Sequence, residues 1–570
     1  MLVILDGASK SRRGVFRHPR GVVTAFEAGE VPAALEALAQ AQREGYHLAG
    51  WFAYELAYAL ESRLRTHMPV TGGAPLLRFG IFEKIEDRID DPIGSAYAGP
   101  LQFEWTPEAY AQRFQRVQEY IAAGDIYQAN LTMRAHFAFA GEPRTLYERL
   151  RAAASASYCA FVDDGESAIL SISPELFLAV EPCGRLTMRP MKGTAARGLD
   201  VDLEAERAAL SASVKDRAEN LMIVDLIRND LGKVARTGSV RVQDLFRVET
   251  YPTLHTMVTT VVAEKEESSG VLDVLRQVFP SGSVTGAPKI RAMEILRELE
   301  TSPRGAYCGA IGRISPDGSA SFNVAIRTIA IANNRGTIGL GGGVVHDSRA
   351  RDEYAECLVK ARFFERVRTP LQLIETMRYE PGAPCGFVRL ERHLARMEAS
   401  ARYFGLPFLR EAALSALHLA VRDRKEILRV RLSLDESGRF LAQTESLLPA
   451  SAHWRYAIAA QRTARTDELL RHKTDWRAMY DRARTESGLD EVVFCNEEGE
   501  ITEGSRSNIF VRRGGSFLTP ALAAGLLPGC LRAQLLESGE AFEASLTVAD
   551  LEGETYFGSS LRGLVRAVRA

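Results

Sequence analysis

Between Phe363 and Pro370 the character of the sequence changes, and that change constrains the fold more than any other feature. Ahead of this short junction, strands and amphipathic helices mix irregularly. Behind it, Leu373–Arg378 reads as a strand opening a hairpin, and Leu390–Met397 starts a helix that ends before Gly405-Leu406-Pro407. Strand-rich sequence follows to Leu448, and Trp454–Ala460 begins another unit. At 570 residues the chain exceeds one ordinary core, and its length predicts three or four units. The expected division is 1–100, 101–367 and 371–570, the last part splitting into 371–450 and 451–570. The expected class is α/β (α+β).

Composition excludes several functions. The chain is 46% hydrophobic and 25% charged with a net charge of -2, so neither a nucleic-acid footprint nor an acidic arm is expected. The apolar start Met1–Leu5 stops at Asp6 with basic residues after it, which predicts a first strand, not a signal peptide. The longest uncharged stretch, Gly514–Leu531, is broken by Gly and Pro, so no membrane span is expected. Seven cysteines without a C-x-x-C pair fit a reduced, cytoplasmic protein. None has the Gly-x-Cys-x-Gly setting of a glutaminase nucleophile.

Along the first part, Val31–Glu44 reads as an amphipathic helix and Trp51–Glu55 as a buried strand end. Gly72–Pro75 and Asp90–Pro100 read as loops. Thr106-Pro107-Glu108 opens a helix to Ala123, with Pro in the first turn, and Asp125–Leu131 follows as a strand. In Arg189-Pro190-Met191-Lys192-Gly193-Thr194 the lysine has a stiff Pro before it and a permissive Gly after it. A lysine desolvated at a cleft loses its proton readily and becomes a nucleophile. Alone, such a pair is an ordinary solvated turn.

Carboxylates surround that loop in the sequence. Glu175 closes a strand at Ser173-Pro174-Glu175-Leu176. Asp216 and Glu219 share one side of a helix from Lys215 to Val234, and Glu353 and Glu356 repeat the device on a second helix that also carries Lys360. Such helices can hold Mg²⁺ between them. Between them, the small-residue loop Phe279–Lys289, containing Thr285, leads into a helix Ile290–Leu299 whose N-terminus suits an anion. Tyr307 comes next, then a strand Phe322–Ile331 carrying Arg327, a group suited to a carboxylate. The glycines Gly339–Gly343 permit close backbone approach to a ligand.

Gly124–Leu131, Ser173–Leu176, the Lys192 loop, Met222–Asp230, Ser283–Lys289 and Glu356–Lys360 together resemble the chorismate-utilising enzymes, in family order. The resemblance implies two sheets packed face to face with helices outside, a deep cleft, and Mg²⁺ held mainly by Glu219 and Glu356, with Asp216 and Glu353 acting through water. Arg327, Tyr307, Lys360 and Thr285 would bind substrate. Members that add water carry a lysine base where this chain has Gln128, and an amide cannot deprotonate water. Anthranilate synthases carry alanine where Lys192 stands, whereas aminodeoxychorismate synthases carry lysine. Implied, therefore, are attack of Lys192 on chorismate at C2, protonation of the C4 hydroxyl by Glu175, and ammonia from a separate glutamine amidotransferase subunit.

After the junction, Leu470–Thr474 places Lys473 before a helix containing Tyr480. Gly499–Phe510 puts Glu503 at a strand–turn boundary, and Leu526–Arg532 leads into a helix N-terminus suited to phosphate. In this order they resemble the branched-chain-aminotransferase-like pyridoxal phosphate enzymes of fold type IV, which include 4-amino-4-deoxychorismate lyases. The resemblance implies two subdomains, Lys473 as the Schiff-base lysine and proton shuttle, Arg396 on the phosphate, and Glu503 on the pyridine nitrogen. Ser559-Ser560-Leu561 are expected to add phosphate contacts, and a homodimer through this part is compatible with the family. The usual strand and Tyr-Gly-Asp-Gly-type loop before the Glu375-Thr376 pair are missing. The residues leave lyase and transaminase both open for this half.

Overall fold

Strands buried along nearly their whole length, such as Gln128–Gly141 and Ser167–Ser173, build two sheets in the first unit. The computed structural model describes residues 1–7, 13–92, 94–154, 156–196, 203–250, 254–449 and 451–570. The basic residues Lys10 and Arg12 lie outside them, as do the side chains of Thr194 and Lys215. Contacts divide the chain into two units. One comprises residues 1–91, 101–137 and 146–367, and the other 92–100, 138–145 and 368–570.

In the first unit, one sheet runs in the order Gly286–Ala287, Gln128–Gly141, Arg335–Val344, Thr328–Ala332, Ser167–Ser173, Tyr158–Asp163, Leu2–Asp6, Arg13–Phe16. The second runs Met191–Ala196, Leu254–Glu264, Arg185–Arg189, Leu176–Val180, Ala320–Val324, Ala310–Ile314, His47–Phe52, Leu77–Phe82, Gly21–Ala25, antiparallel throughout. Strands of the first hundred residues are built into both sheets. Val3, Phe16 and Val162 of one sheet meet Trp51, Phe82 and Ile311 of the other in a common core. The second sheet's opposite face is covered by helices, among them Val31–Arg43, Val214–Gly232 and Val271–Val278, whose apolar stripes complete the unit's largest core.

The second unit has two layers of its own. A three-stranded antiparallel sheet, Leu373–Tyr379, Leu428–Leu434 and Phe440–Ser446, packs with helices Leu390–Phe404 and Arg410–Ala420 around Met377, Leu394, Met397 and Leu417. An eight-stranded mixed sheet follows. Its strand His453–Thr463 pairs in parallel with both Glu491–Asn496 and Gly563–Arg569.

Several expectations need correction. The strand expected from Asp125 starts at Gln128, because Gly124, with φ 80°, still belongs to the turn after helix Pro107–Ala122. The Trp51–Glu55 strand ends at Phe52 and turns into helix Leu56–Leu60. Residues 96–98, read as loop, form a short strand. The stretch to Leu448, read as strand-rich, opens with helix Arg410–Ala420. The continuous strand Phe322–Ile331 is two strands in two different sheets, broken at Arg327, whose φ is 49°. Among the described residues no helix is long and apolar enough to cross a membrane.

Candidate active sites

The break at Arg327 has a partner. Chain segment Ser173-Pro174-Glu175 also crosses from one sheet to the other, and the two crossings lie side by side. Ser173 Oγ donates to Val324 O at 2.6 Å, Val324 N to Glu175 O at 3.1 Å, and Ile172 N to Arg327 O at 3.0 Å. This pairing fixes Glu175 where neither sheet can solvate it, and only 4% of it is exposed. Burial raises its carboxyl pKa to about 7, although Ser283 and Lys192 pull the other way. Ser283 Oγ donates to Glu175 Oε1 at 2.7 Å and touches Ser281 Oγ at 3.0 Å.

Lys192 lies just past Pro190 in strand Met191–Ala196, its side chain 20% exposed. Its Nζ is 3.3 Å from Glu219 Oε2 on helix Val214–Gly232. The glycine strand Arg335–Val344 admits this group. A Cβ on Gly343 would stand 2.7 Å from Lys192 Nζ and 2.9 Å from Gln128 Nε2, and one on Gly342 2.9 Å from Glu353 Oε2. The close approach expected of these glycines is thus made by protein side chains. Gln128 is fully buried, and among the described residues neither polar atom of its amide has a hydrogen-bond partner. That is the condition of a group awaiting a ligand.

The four candidate metal ligands stand on the expected helices. Glu356 Oε1 pairs with Lys360 Nζ at 2.8 Å, while Lys360 also donates to Gly341 O at 2.7 Å. Glu353 Oε1 accepts from Ser348 at 2.7 Å, and burial, helped by the Glu356 charge, raises its pKa. Asp216 lies against Gly193, within 2.9 Å of where that residue's Cβ would stand. Among the described residues no three of these carboxylates bring oxygens within 4.8 Å of one another. The donors nevertheless fit Mg²⁺. They are hard oxygens, they outnumber the neighbouring lysines, and an ion on two of them leaves positions for water and substrate oxygen.

Other candidates are placed less directly. Tyr307 is buried in the unit's core, its ring against Gly339 and 5.4 Å below the Arg134 guanidinium. Thr285 is fully buried and its hydroxyl turns into its own loop, 3.3 Å from Ser281 O and 3.2 Å from Gly282 O. The loop side chain that reaches Glu175 is therefore Ser283. At the start of the following helix, Lys289 Nζ binds Asp230 at 2.5 Å and the carbonyls of Val278 and Pro280, which staples the loop in place.

In the second unit Lys473 precedes helix Ala478–Ser487 and is tied to strand Leu373–Tyr379 by Ile374 N donating to Lys473 O at 2.8 Å. Burial, then the charges of Arg477 and Arg396, lower its pKa to about 7. Glu503 is 7% exposed; Tyr480 Oη donates to its Oε1 at 2.9 Å and Leu527 N to its Oε2 at 3.3 Å. Arg477 stacks over Tyr480 at 5.0 Å and donates to Ser505 O. Arg396 forks onto Glu375 with bonds of 2.7 and 2.6 Å, and its Nη1 reaches Pro528 O at 2.9 Å. Pro528 leads into helix Cys530–Glu537, whose N-cap Gly529 supplies no side-chain cap. A half-buried lysine of lowered pKa, an arginine beside an uncapped helix N-terminus and a buried carboxylate fit pyridoxal phosphate.

Sequence reasoning missed Ser283, Glu375 and His393 as site groups, and Arg477. Ser283 sits in a loop recognised for its small residues. Glu375 and His393 read as ordinary members of a strand and a helix, and only their meeting makes them notable.

Comparison with known proteins agrees with this division. Residues 2–366 match the family model of chorismate binding enzymes, and residues 372–570 that of amino-transferase class IV. Aminodeoxychorismate synthase component 1 of Escherichia coli is 43% identical over 275 residues, 48% of this chain and 59% of that protein. Anthranilate synthase component 1 of Aquifex aeolicus is 40% identical over 260 residues, 45% of this chain and 52% of that protein. The chain thus spans less than two thirds of the length of these curated relatives. The structure of anthranilate synthase component I from Streptococcus pneumoniae shares the fold, with a TM-score of 0.54 at 23% identity, covering 64% of this chain and 92% of that one. The chain belongs to the chorismate binding enzyme family and carries a class IV amino-transferase domain behind it.

Proposed function

We propose that the chain makes 4-aminobenzoate in two steps: amination of chorismate to 4-amino-4-deoxychorismate, then elimination of pyruvate from that product. The observation that carries the first step is the meeting of Lys192 and Gln128 at the glycine strand, with Glu175 near enough to feel the lysine charge: a nucleophile and an acid without a water-activating base. Glu219 and Glu356 would hold Mg²⁺, which would supply positive charge for a substrate carboxylate. Lys192 Nζ then attacks ring C2 while Glu175, half protonated near neutral pH, gives its proton to the departing C4 hydroxyl. Ammonia adds at C4 and expels the lysine. Arg327, Tyr307 and Lys360 orient carboxylates. The similarity to component 1 of aminodeoxychorismate synthases supports a glutamine amidotransferase partner as the ammonia source.

For the second step, Lys473, Arg396, Ser560 and Glu503 would hold pyridoxal phosphate, which supplies an electron sink. Lys473 Nζ, whose pKa of about 7 lets it both take and return a proton, removes the proton from C4, the amine-bearing carbon. Loss of the enolpyruvyl oxygen from the neighbouring ring carbon aromatises the ring, which makes elimination strongly downhill. A transaminase reading shares the same proton transfer, and the fused chorismate unit favours the lyase. The test of the first step is chromatography of the purified chain's products from chorismate, ammonium and Mg²⁺ with Lys473 replaced by alanine. Aminodeoxychorismate supports the proposal; isochorismate or anthranilate as the product overturns it.

A further inference from the structure

A hydrogen-bonded chain of buried groups runs beside the proposed phosphate site. Glu375 binds Arg396 with both oxygens, and its Oε2 also lies 2.6 Å from His393 Nδ1. His393 Nε2 is 2.8 Å from Ser560 Oγ, in the turn after strand Thr555–Ser559. Glu375 and His393 side chains are each 1% exposed, and Ser560 is 9% exposed. Cys530, at the start of helix Cys530–Glu537, brings its Sγ to 3.5 Å from His393 Nδ1. By distance Glu375, His393 and Cys530 could hold a metal, but both carboxylate oxygens already carry the guanidinium.

The donor arithmetic of this chain has two solutions. Burial opposes ionisation of Glu375, but Arg396 and His393 hold its pKa down to about 2, so it only accepts. His393 Nδ1 must then carry a proton. If Nε2 has none, the single Ser560 proton is drawn to it, and Ser560 has only lone pairs left for any other partner. If Nε2 is protonated, it donates to Ser560 Oγ, and the Ser560 proton is released outward. Burial disfavours the imidazolium, but Glu375 and then Cys530 outweigh it and the His393 pKa is raised. Arg396, Glu375, Cys530 and Ser560 are the charged or titratable and hydroxyl groups facing the ring from the elements around it.

We propose that Glu375 and His393 are positioning residues that aim the Ser560 hydroxyl proton into an anion cup shared with Arg396 and the N-terminus of helix Cys530–Glu537. The inference rests on the pyridoxal phosphate reading and adds residues that act only through the cofactor's phosphate. With His393 protonated, Arg396 and His393 set two positive charges against one carboxylate, which suits a phosphate dianion.

The experiment uses the full-length apoprotein titrated with pyridoxal phosphate and, separately, with pyridoxal, which lacks the phosphate. His393→Asn keeps an amide near Glu375 and loses Ser560, whereas His393→Gln can still donate toward Ser560. His393→Asn and Ser560→Ala should each weaken pyridoxal phosphate binding by roughly tenfold. The double variant should lose no more than either single one. His393→Gln should stay within about threefold of the parent, and pyridoxal affinity should not move in any of them. The ³¹P resonance of bound cofactor should shift alike in His393→Asn and Ser560→Ala. Equal losses for both ligands, additive losses in the double variant, or parental binding by His393→Asn would overturn the relay. Should the His393 variants not fold, Ser560→Ala alone decides, by whether its loss is confined to the phosphorylated ligand. Failure of the parent chain to bind pyridoxal phosphate at all would instead refute the cofactor reading.

Discussion

Replacing Ser283 by alanine isolates the acid of the first step. The Glu175 carboxyl is raised from 4.5 to about 7 by burial, which corresponds to about 3 kcal/mol of preference for the protonated form. Ser283 opposes that preference, because its hydroxyl donates at 2.7 Å to a carboxylate oxygen and so favours ionisation. A hydrogen bond to a charged group contributes about 1.5 kcal/mol, so its removal should raise the Glu175 pKa by about one further unit. The acid must be protonated to act, so the alkaline limb of chorismate turnover should move up by about one pH unit. Ser283→Thr, which keeps a hydroxyl, should leave the limb in place. Stability follows the same linkage. A carboxyl whose folded pKa exceeds its unfolded value favours folding most below about pH 4.5, and that contribution declines as pH rises through about 7. Ser283→Ala should therefore be less stable than the parent by about 1.5 kcal/mol at pH 9, with the gap closing at pH 4. The assay is the initial rate of chorismate loss with ammonium as nitrogen donor from pH 6 to 9.5, beside denaturant melts at the two extremes. An alkaline limb that stays put or moves down would refute Glu175 as the acid held by Ser283.

Lys192→Ala should keep its fold by circular dichroism yet form aminodeoxychorismate at least about a hundredfold more slowly, since no other amine replaces the nucleophile; turnover like the parent's would remove the covalent role. Glu219→Gln and Glu356→Gln should each raise the Mg²⁺ concentration needed for half-maximal chorismate turnover while leaving the second unit's cofactor absorbance unchanged; an unaltered Mg²⁺ titration in both would reassign the metal. Lys473→Ala should lose 4-aminobenzoate and pyruvate together while aminodeoxychorismate accumulates, seen by chromatography; continued 4-aminobenzoate formation would show that another base serves.

Elements with a clear apolar period were legible in the sequence, as in helix Val31–Arg43 and strand Leu373–Tyr379. What escaped were places where a periodic run changes sheet. Phe322–Ile331 reads as one apolar, β-branched run, and nothing local announces that Arg327 bends with positive φ to carry the chain to the other sheet. Lys192, Glu219 and Glu353 could be gathered from their motifs; the structure brings Lys192 and Glu353 to one glycine strand and Glu219 to 3.3 Å from Lys192. Ser283 could not be separated from Thr285, because both are small hydroxyl residues in one loop and only the backbone path decides which reaches Glu175. The Glu375–His393–Ser560 chain joins three segments far apart in sequence, so its members carry no shared local pattern.

The most direct measurement is the product balance of the full chain given chorismate, ammonium, Mg²⁺ and pyridoxal phosphate, with no keto acid added. Consecutive action of the two units predicts 4-aminobenzoate and pyruvate in equal amounts through many turnovers, with the cofactor recovered in its aldehyde form. Turnover that stalls until a keto acid is supplied, leaving pyridoxamine phosphate, would contradict the lyase, and a reaction without aminodeoxychorismate or 4-aminobenzoate would contradict the whole sequence.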